Sequence, residues 1–582
     1  MNPFRHGREV KTSPDFRRVL GLPMRPPRSK EEVDQLVRDM TDALRTSTGG
    51  MTLRDVQARA LYELMAEGGL FGPLGVGTGK TIISLLAAVV ADAQRPLLLL
   101  PASLLQKTED ERRELMRDWK VSTSTRLMSY QMLGRENAAK ALDLYMPDLI
   151  IADEVHKLKN RKAAVTRRVA RYMADNPETK FVALSGTVIK NSLRDFAHIL
   201  RWCLGAENSP VPQTEGELEE WADALDEKVQ PMQRVKPGVL VKLARPEDVG
   251  EDDISTSRRA FRRRLIETAG VVASLNAEQV DCSLIIEGKT YSVNQATEAN
   301  FDRLRNAWET PDGWALSEAV DVWRHAKELA LGMHYIWSPR PPEEWLAARR
   351  AWAKFVRDEL SSSRTLDSEK QVRTAVEEGE LDDGGVLASW KAIEPTFKIN
   401  SKAVWHDDTA LELCAAWMKR EKGIVWVEHT FFGRELSRRT GAPYFGQNGR
   451  DEKGREIEDP SITGPVIASI ASCGTGKNLQ KKWSKNLITS CPSGGDQLEQ
   501  LFGRTHRPGQ DADEVTVEIL VGCIEHLAAW ESARAEAVMS KDMLGQPQKV
   551  LDASDIVFPS REEIARLHGT RWRKVRQKKG DD

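Results

Sequence analysis

The sequence lacks the features of a zinc module, a disulfide-rich secreted domain or a membrane protein. Its 582 residues include only six cysteines, none in a C-x-x-C pair, so no zinc module is indicated. Their scattered spacing is unlike a disulfide framework and suits a reducing compartment. No apolar run reaches transmembrane length, and no signal-peptide segment follows Met1. We therefore expect a cytoplasmic protein with no membrane partner.

The chain also lacks an excess of either charge. Its net charge is −2, so no overall field draws it towards nucleic acid or membrane, and any polyanion binding must come from local patches. The first 30 residues contain eight Lys and Arg against two acids, and Arg566 to Lys579 contains seven and no acid. Each end is either a basic arm or a solvated, disordered tail.

The length is several times the roughly 150 residues of one domain. Two stretches alternate short apolar runs with helical patterns, which predicts parallel sheets covered on both faces. Between them, charged helical segments with interleaved tryptophans predict a mainly helical insertion. We predict an α/β protein with five parts: a basic N-terminal extension (1–50) containing a helix from Lys30 to Leu44, a first lobe (51–203), the insertion (204–400), a second lobe (401–545) and a basic C-terminal tail (546–582).

The run Gly75-Val76-Gly77-Thr78-Gly79-Lys80-Thr81 lies between an apolar stretch and a helical segment. Strand, glycine-rich loop and helix in that order are what a phosphate-binding loop requires. The glycines allow successive backbone N–H groups to turn towards one anion, and the helix N-terminus adds its positive dipole end. We predict that Lys80 reaches the β- and γ-phosphates of ATP and that Thr81 holds Mg²⁺. A merely flexible glycine loop is disfavoured by the Gly-Lys-Thr ending.

Two adjacent carboxylates, Asp153 and Glu154, follow the apolar run Leu149–Ala152. The carboxyl ends of strands form the ligand-binding edge of an α/β sheet. Asp153 suits Mg²⁺, since hard cations prefer oxygen ligands. Glu154 suits the orientation or deprotonation of a water that attacks the γ-phosphate. The alternative, an exposed acidic strand end, is disfavoured by the Asp-Glu-x-His pattern.

Asp153-Glu154-Val155-His156 resembles the DExH box of superfamily II helicases, and its continuation to Asn160 resembles the Swi/Snf-like branch. The resemblance implies two RecA-like P-loop lobes and extends to other short motifs. It implies that Gln57 reads the adenine edge, and that Ser103, Ser129 and Tyr130 contact the nucleic-acid backbone. It also implies that Ser185, Gly186 and Thr187 couple the state of the bound nucleotide to the binding of nucleic acid.

The second block contains Ser472–Leu479, which resembles a family motif with two glycines before Asn-Leu. Its small residues allow close approach to a sugar-phosphate chain, so Gly474, Thr475 and Lys477 are predicted to contact nucleic acid. Lys481 and Lys482, beside Trp483, are predicted to extend this surface, with stacking of bases on the ring. The alternative is a lysine-rich loop with Trp483 packed inside.

The run Gln497–Gln510 contains Arg504 and Arg507, whose spacing predicts neighbours on one helix face. Two guanidiniums facing a cleft neutralise charge on a transferring phosphoryl group. The resemblance makes them arginine fingers of the second lobe and adds Gln500 to the catalytic set. A solvated basic helix face is the alternative, which the Gln-x-x-Gly-Arg-x-x-Arg context disfavours.

The resemblance implies a DNA-dependent ATPase that translocates on DNA, in particular duplex DNA, and remodels protein–DNA or branched DNA with little sequence preference. The alternatives are a strand-separating DNA or RNA helicase and a nucleic-acid-binding scaffold with a non-hydrolysing ATP site. The chain departs from the family pattern at Leu74, at Val188–Asn191 and through most of 204–400. Its length is compatible with a bacterial or phage protein, hence with a bacterial or host-cell cytoplasm.

Overall fold

A computed structural model describes residues 8–75, 77–186, 192–226, 234–274, 280, 282–314, 316, 318–363 and 366–567. The chain divides into two compact units. Unit 1 comprises Met1–Glu278, Glu359–Thr374 and Ala535–Gln548, and unit 2 comprises Gln279–Asp358, Ala375–Arg534 and Lys549–Asp582. Among the described residues, no helix is both long enough and apolar enough to cross a membrane.

The α-helices are numbered in chain order. They are α1 Pro14–Gly21, α2 Lys30–Leu44, α3 Asp55–Glu67, α4 Lys80–Val90, α5 Leu105–Leu115, α6 Tyr130–Leu133, α7 Ala141–Tyr145, α8 Ala164–Asp175, α9 Ala197–Asn208, α10 Glu215–Leu225, α11 Asp253–Ile266, α12 Gln295–Asn306, α13 Ala319–Ala330, α14 Glu343–Ser362, α15 Glu369–Glu377, α16 Val386–Ile393, α17 Thr409–Arg420, α18 Thr430–Thr440, α19 Ile470–Cys473, α20 Gly495–Phe502, α21 Ile524–Leu544, α22 Lys549–Asp552 and α23 Arg561–Leu567.

Unit 1 is built on a five-stranded parallel sheet. Its strands are β1 Leu70–Pro73, β2 Pro96–Leu100, β3 Arg126–Ser129, β4 Leu149–Asp153 and β5 Lys180–Ser185, in the order β1-β5-β4-β2-β3. Because all five strands run in one direction, their carboxyl ends share one edge. The neighbours β1, β5 and β4 therefore bring the loop after Pro73, Ser185 and Asp153 to adjacent positions.

Both faces of this sheet are buried, as expected of a parallel sheet. Along β4 the side chains alternate, so that Ile150 and Ala152 pack into one hydrophobic core and Leu149 and Ile151 into another. The first core also receives Met539 and Met543, from the third chain segment of the unit.

The described part of the N-terminal extension is folded onto unit 1. The helix α2 has the predicted bounds, and its first turn carries a capping box in which Ser29 and Glu32 bond each other's backbone N–H groups. Ahead of it, α1 buries Phe16 and Val19 in the first core. The described residues from Arg8 onward are therefore part of the globular unit instead of a free arm.

The segment Glu359–Thr374 is held in unit 1 by a buried ion pair. Asp367 accepts bonds from Arg168 of α8 at 3.0 and 2.7 Å and from Arg171 at 3.3 Å. The Arg168 and Asp367 side chains are 1% and 0% exposed. Arg167 adds donation to the carbonyls of Leu360, Ser363 and Leu366. Charged groups this deeply buried are tolerated only when paired, so this contact fixes the segment's position.

Unit 2 contains a seven-stranded parallel sheet. Its strands are β6 Ser283–Thr290, β9 Ile424–Val427, β10 Tyr444–Phe445, β11 Val466–Ser469, β12 Lys485–Ile488, β13 Glu514–Val521 and β14 Asp555–Val557, in the order β10-β11-β9-β12-β13-β6-β14. A separate antiparallel pair joins β7 Met333–Trp337 to β8 Ser401–Trp405.

The two sheets confirm the predicted fold class, with parallel sheets flanked by helices, and are consistent with two RecA-like lobes. The main surprise is β6. It lies within the block 204–400, which was interpreted as a mainly helical insertion, yet it pairs along its whole length with β13. In the C-terminal part, β14 pairs with β6, while residues 568–582 of the basic tail lie outside the described residues.

Candidate functional site

The glycine loop connects β1 to α4 in a conformation that only glycine adopts readily. Gly77 and Gly79 have φ of 89° and 79°, in the left-handed region that disfavours side chains. A Cβ on Gly79 would also lie 2.1 Å from Nε2 of Gln57, which is too close for two heavy atoms. The described part of the loop therefore forms a backbone cradle with two left-handed glycines at the N-terminus of α4, which fits the predicted phosphate site.

Lys80 and Thr78 bind carbonyl groups of the loop itself. The Lys80 Nζ donates to the carbonyls of Leu74 and Gly75, both at 3.1 Å, and Thr78 Oγ1 donates to Gly75 at 3.0 Å. The ammonium group is thus held beside the cradle, where a phosphate oxygen would compete with these carbonyls as an acceptor. Thr81 lies in the first turn of α4 and is half-buried.

Gln57 is buried behind the loop. Its Nε2 donates to the carbonyl of Thr78 at 3.1 Å, and its Oε1 accepts from the backbone N–H of Arg54 at 2.9 Å. Both ends of the amide are therefore used within the protein. The structure gives Gln57 a role in bracing the loop, and the reading of an adenine edge stays a prediction.

Ser274 is a loop-contacting residue that the sequence did not reveal. Its Oγ accepts from the backbone N–H of Gly75 at 2.8 Å. The segment 270–274 reaches the loop by pairing with β1, since Phe71 donates to Gly270 and Val272 donates to Phe71. A signal was present in the apolar run Val271-Val272-Ala273, which is typical of a short strand.

The two carboxylates lie at the carboxyl end of β4, as predicted. Burial, together with the negative charge of Glu154, raises the pKa of Asp153, against a smaller opposite effect from Lys80. Glu154 has a φ of 56°, an uncommon conformation for a residue with a side chain, and its N–H donates to Asp153 at 3.1 Å. A half-buried pair of carboxylates of this kind is suited to a divalent cation, which would relieve the repulsion.

Glu154, Ser185 and His156 form a closed triangle of polar contacts. Ser185 Oγ lies 3.3 Å from Glu154 Oε2, His156 Nδ1 lies 3.1 Å from Ser185 Oγ, and His156 Nδ1 lies 3.3 Å from Glu154 Oε2. The predicted coupling residue Ser185 is therefore in direct contact with the predicted catalytic carboxylate. Gly186 follows it, and Thr187 lies outside the described residues.

The residues of unit 1 that were predicted to contact nucleic acid differ in exposure. Ser103 is exposed, whereas Ser129 and Tyr130 are buried. Ser129 accepts from the N–H of Met132 at the start of α6, and the Tyr130 hydroxyl donates to the carbonyl of Asp153 at 2.7 Å. Tyr130 therefore holds the end of the strand that carries the carboxylates, and Ser129 caps α6.

In unit 2, the predicted helix face carrying Arg504 and Arg507 does not exist. The helix α20 ends at Phe502, because Gly503 caps it and a series of turns follows. Arg504 is buried and donates to the carbonyls of Gln500 and Lys477 at 2.9 and 3.0 Å. The half-buried Arg507 instead donates to Asn478 Oδ1 at 2.7 Å. The turns, and not a helix, orient both guanidiniums against the motif Ser472–Leu479.

The motif Ser472–Leu479 is covered by acidic groups from the segment 456–459. Lys477 Nζ pairs with Glu456 at 2.8 Å and with Glu458 at 3.1 Å. Glu458 also accepts from the backbone N–H of Asn478 at 2.8 Å. The Glu458 carboxylate thus contacts both a backbone N–H and a lysine, the two groups that a phosphate of a nucleic-acid backbone is expected to contact.

The remaining residues of unit 2 that were predicted to contact nucleic acid differ in exposure. Gly474 is buried, and a Cβ there would lie 2.4 Å from the carbonyl of Ile470, while Thr475 is half-buried. Lys481 is exposed, but Lys482 donates to the carbonyls of Glu458 and Asp459. Trp483 is buried and donates to the carbonyl of Gly464, so its ring is packed inside and does not offer a stacking surface.

Two curated proteins are similar to part of the chain. A human protein named Lymphoid-specific helicase is 29% identical over 157 residues, which is 26% of this chain and 18% of that protein. An Arabidopsis thaliana protein named Switch 2 is 27% identical over 238 residues, which is 35% of this chain and 26% of that protein. The matches thus span about a quarter or less of these relatives' lengths. No protein-family model matches the sequence. The similarities support a distant relationship to helicase-type proteins.

Proposed function

We propose that this protein is an ATP-hydrolysing motor of the Swi/Snf-like type that moves along DNA. The observation that carries the proposal is the shared edge of the unit 1 sheet. There the neighbouring ends of β1, β5 and β4 bring together the glycine loop, Ser185 and the pair Asp153 and Glu154. A phosphate-binding loop beside a half-buried carboxylate pair is the arrangement that nucleotide hydrolysis requires.

In the proposed reaction, Mg²⁺ supplies charge neutralisation on the phosphate oxygens when it is bound. Lys80 would exchange its bonds to the loop carbonyls for bonds to phosphate oxygens, and Thr81 and Asp153 would hold the cation. Glu154 would orient the attacking water and accept its proton, with its carboxylate positioned by Ser185 and His156. Arg504 and Arg507, with Gln500 beside them in sequence, would stabilise charge on the transferring group.

The DNA-binding part of the proposal rests on unit 2. Its motif Ser472–Leu479 presents a backbone N–H and Lys477 to carboxylate oxygens, which are chemical analogues of phosphate oxygens. Contacts to a phosphate backbone carry no sequence information, so we propose binding without strong sequence preference. The similarity to a protein named as a helicase favours a motor over a static scaffold.

The deciding experiment measures ATP hydrolysis without nucleic acid and with single-stranded DNA, duplex DNA, forked DNA or RNA. We expect the strongest stimulation with duplex DNA. Lys80→Ala and Glu154→Gln should abolish turnover, and Glu154→Gln should still bind nucleotide because only the carboxylate charge is changed. Lys162→Ala and Glu114→Gln, at exposed positions of unit 1, are matched controls that should retain activity. Absence of hydrolysis under every condition would refute the motor, and stimulation by RNA alone would refute the DNA assignment.

A further inference from the structure

Unit 1 contains a cavity of about 270 Å³ that is separate from the glycine loop. It lies where the segment before α2 meets α3 and the end of α11, and its polar lining comprises Arg25, Arg28, Arg59, Glu63 and Glu267. On α3, Arg59 is two residues after Gln57, a rotation of about 200° around the helix axis. Gln57 faces the glycine loop, so Arg59 points to the opposite side of the helix.

The acidic groups of the cavity are already paired. Glu63 binds Arg25 at 2.8 Å and accepts from the N–H of Gly270 at 2.9 Å. Glu267 pairs with Arg263 at 3.2 Å and with Arg245 at 3.4 Å. The charge of Arg25 is balanced by Glu63, and its guanidinium also donates to the carbonyl of Ile266 at 3.0 Å. The other two arginines of the lining, Arg28 and Arg59, take no part in these pairs.

The side chains of Arg28 and Arg59 make no hydrogen bond or ion pair with any residue in the part of the chain that the structure describes. Arg28 lies over the ring of Tyr62, 4.4 Å from its centroid, which fixes the guanidinium while leaving its N–H groups available. Burial and the nearby charge of Arg25 lower the pKa of Arg59, and the charges of Asp55 and Glu63 only partly offset this. Both guanidiniums are half-buried and keep N–H donors that no acceptor among the described residues uses, so they are available to bind an anion.

The size of the cavity limits the anion. Pockets for drug-sized ligands start at about 300 Å³, so this cavity suits a group no larger than one or two phosphates. Guanidinium groups bind tetrahedral oxyanions through pairs of parallel N–H donors, which a lysine cannot reproduce. The lining therefore selects for shape as well as for charge.

We propose that this cavity binds a phosphate group through Arg28 and Arg59. The group belongs either to a free anion such as pyrophosphate or to the backbone of a nucleic acid, since both present the same oxygens. The site is independent of the proposed ATP hydrolysis, because none of its residues belongs to the glycine loop or to the carboxylate pair.

The first arm of the test is calorimetric titration of pyrophosphate into the full chain carrying Lys80→Ala, which removes the lysine of the glycine loop. We expect binding that Arg28→Ala and Arg59→Ala each weaken about tenfold or more, the loss of one charge-assisted contact. Arg38→Ala, at an exposed arginine of α2, is the matched control and should bind unchanged. Arg59→Lys keeps the charge but not the paired donors, so its affinity for pyrophosphate should lie between those of the parent chain and Arg59→Ala.

The second arm measures duplex DNA affinity as a function of salt for the same variants in the otherwise unaltered chain. If a nucleic-acid phosphate occupies the cavity, Arg28→Ala and Arg59→Ala should each weaken DNA binding. Each should also reduce the steepness of the plot of log affinity against log salt concentration by about one. Either positive arm supports the site and identifies the source of the phosphate. Unchanged affinities in both arms, with variants whose thermal melting matches the parent protein, would overturn the proposal. Loss of ATP hydrolysis is not a readout, so this test can fail while the proposed function stands.

Discussion

Replacing Asp367 with alanine tests the structure of unit 1 most directly, because it removes the partner of a fully buried cation. The carboxylate of Asp367 receives two bonds from Arg168 and a third from Arg171. Without it, the Arg168 guanidinium keeps only neutral acceptors, the carbonyls of Leu133 and Arg135. Breaking a buried pair by removing one partner costs about 3–5 kcal/mol, because an uncompensated charge is left inside.

The assay is urea unfolding followed by fluorescence and circular dichroism. With an m-value of roughly 3 kcal/mol/M, the expected loss lowers the midpoint of the transition that reports unit 1 by about 1 M or more. Asp367→Asn keeps one acceptor oxygen and should recover part of the loss. The control is Asp110→Ala, which breaks an exposed pair with Arg113 on α5 and should change stability by less than about 0.5 kcal/mol.

The reasoning is refuted if Asp367→Ala and Asp110→Ala shift the midpoint equally. In that case Arg168 would be satisfied by solvent or by its carbonyl acceptors, and the segment 359–374 would contribute little to the unit.

Four further predictions concern the candidate site. Ser274→Ala should raise the Kd for ATP severalfold with kcat nearly unchanged, since it removes one neutral hydrogen bond to the loop, and Ser274→Thr should retain the parent value in equilibrium nucleotide binding. Gly79→Ala should weaken that binding strongly, because its positive φ strains any residue with a side chain and a Cβ would displace the amide of Gln57 that braces the loop; an unaltered Kd would contradict the loop geometry. Burial raises the pKa of Asp153, so protons compete with Mg²⁺ for this carboxylate. The affinity of the protein for Mg²⁺, measured in the presence of ADP, should therefore fall as the pH is lowered from about 8 to about 6, by up to about tenfold per pH unit below that pKa. A flat profile, or one no steeper than that of Asp153→Asn, would be inconsistent with this carboxylate as the ligand. Glu458→Gln should strengthen duplex binding by Lys477, measured by fluorescence anisotropy, whereas equal affinity would show that the carboxylate does not occupy the phosphate position.

The central strands of both sheets were predictable because each is an apolar run bounded by turn signals. The run Leu149–Ala152 forms β4, and Ile424–Val427 forms β9 with the predicted bounds. The strand β6 was missed because only Leu284, Ile285 and Ile286 are consecutively apolar, and charged helical segments surround them. Its pairing with β13 is a tertiary contact between distant parts of the chain, which local periodicity does not encode.

At the candidate site, the sequence indicated which residues meet but not how they are held. Gly503 and Pro508 indicate that α20 ends before Arg504, since both residue types commonly follow the end of a helix. The spacing of the two arginines alone does not show this. The apolar run Val271-Val272-Ala273 indicated a short strand, but the bond from Gly75 to Ser274 had no signal of its own, because it joins distant parts of the chain. The covering of Lys477 by acidic groups likewise depends on the folded path of segment 456–459, and formal charge along the sequence does not reveal it.

The division of each unit into three stretches of chain also constrains how the protein is made. When Glu278 leaves the ribosome, unit 1 still lacks the carboxylate that neutralises Arg168 and the methionines at 539 and 543 that complete its first core. Its final packing must therefore wait until synthesis has passed Gln548, by which time most of unit 2 has also emerged. A recombinant fragment stopped at residue 278 should accordingly be aggregation-prone, and separate expression of the halves would require grafting the missing stretches.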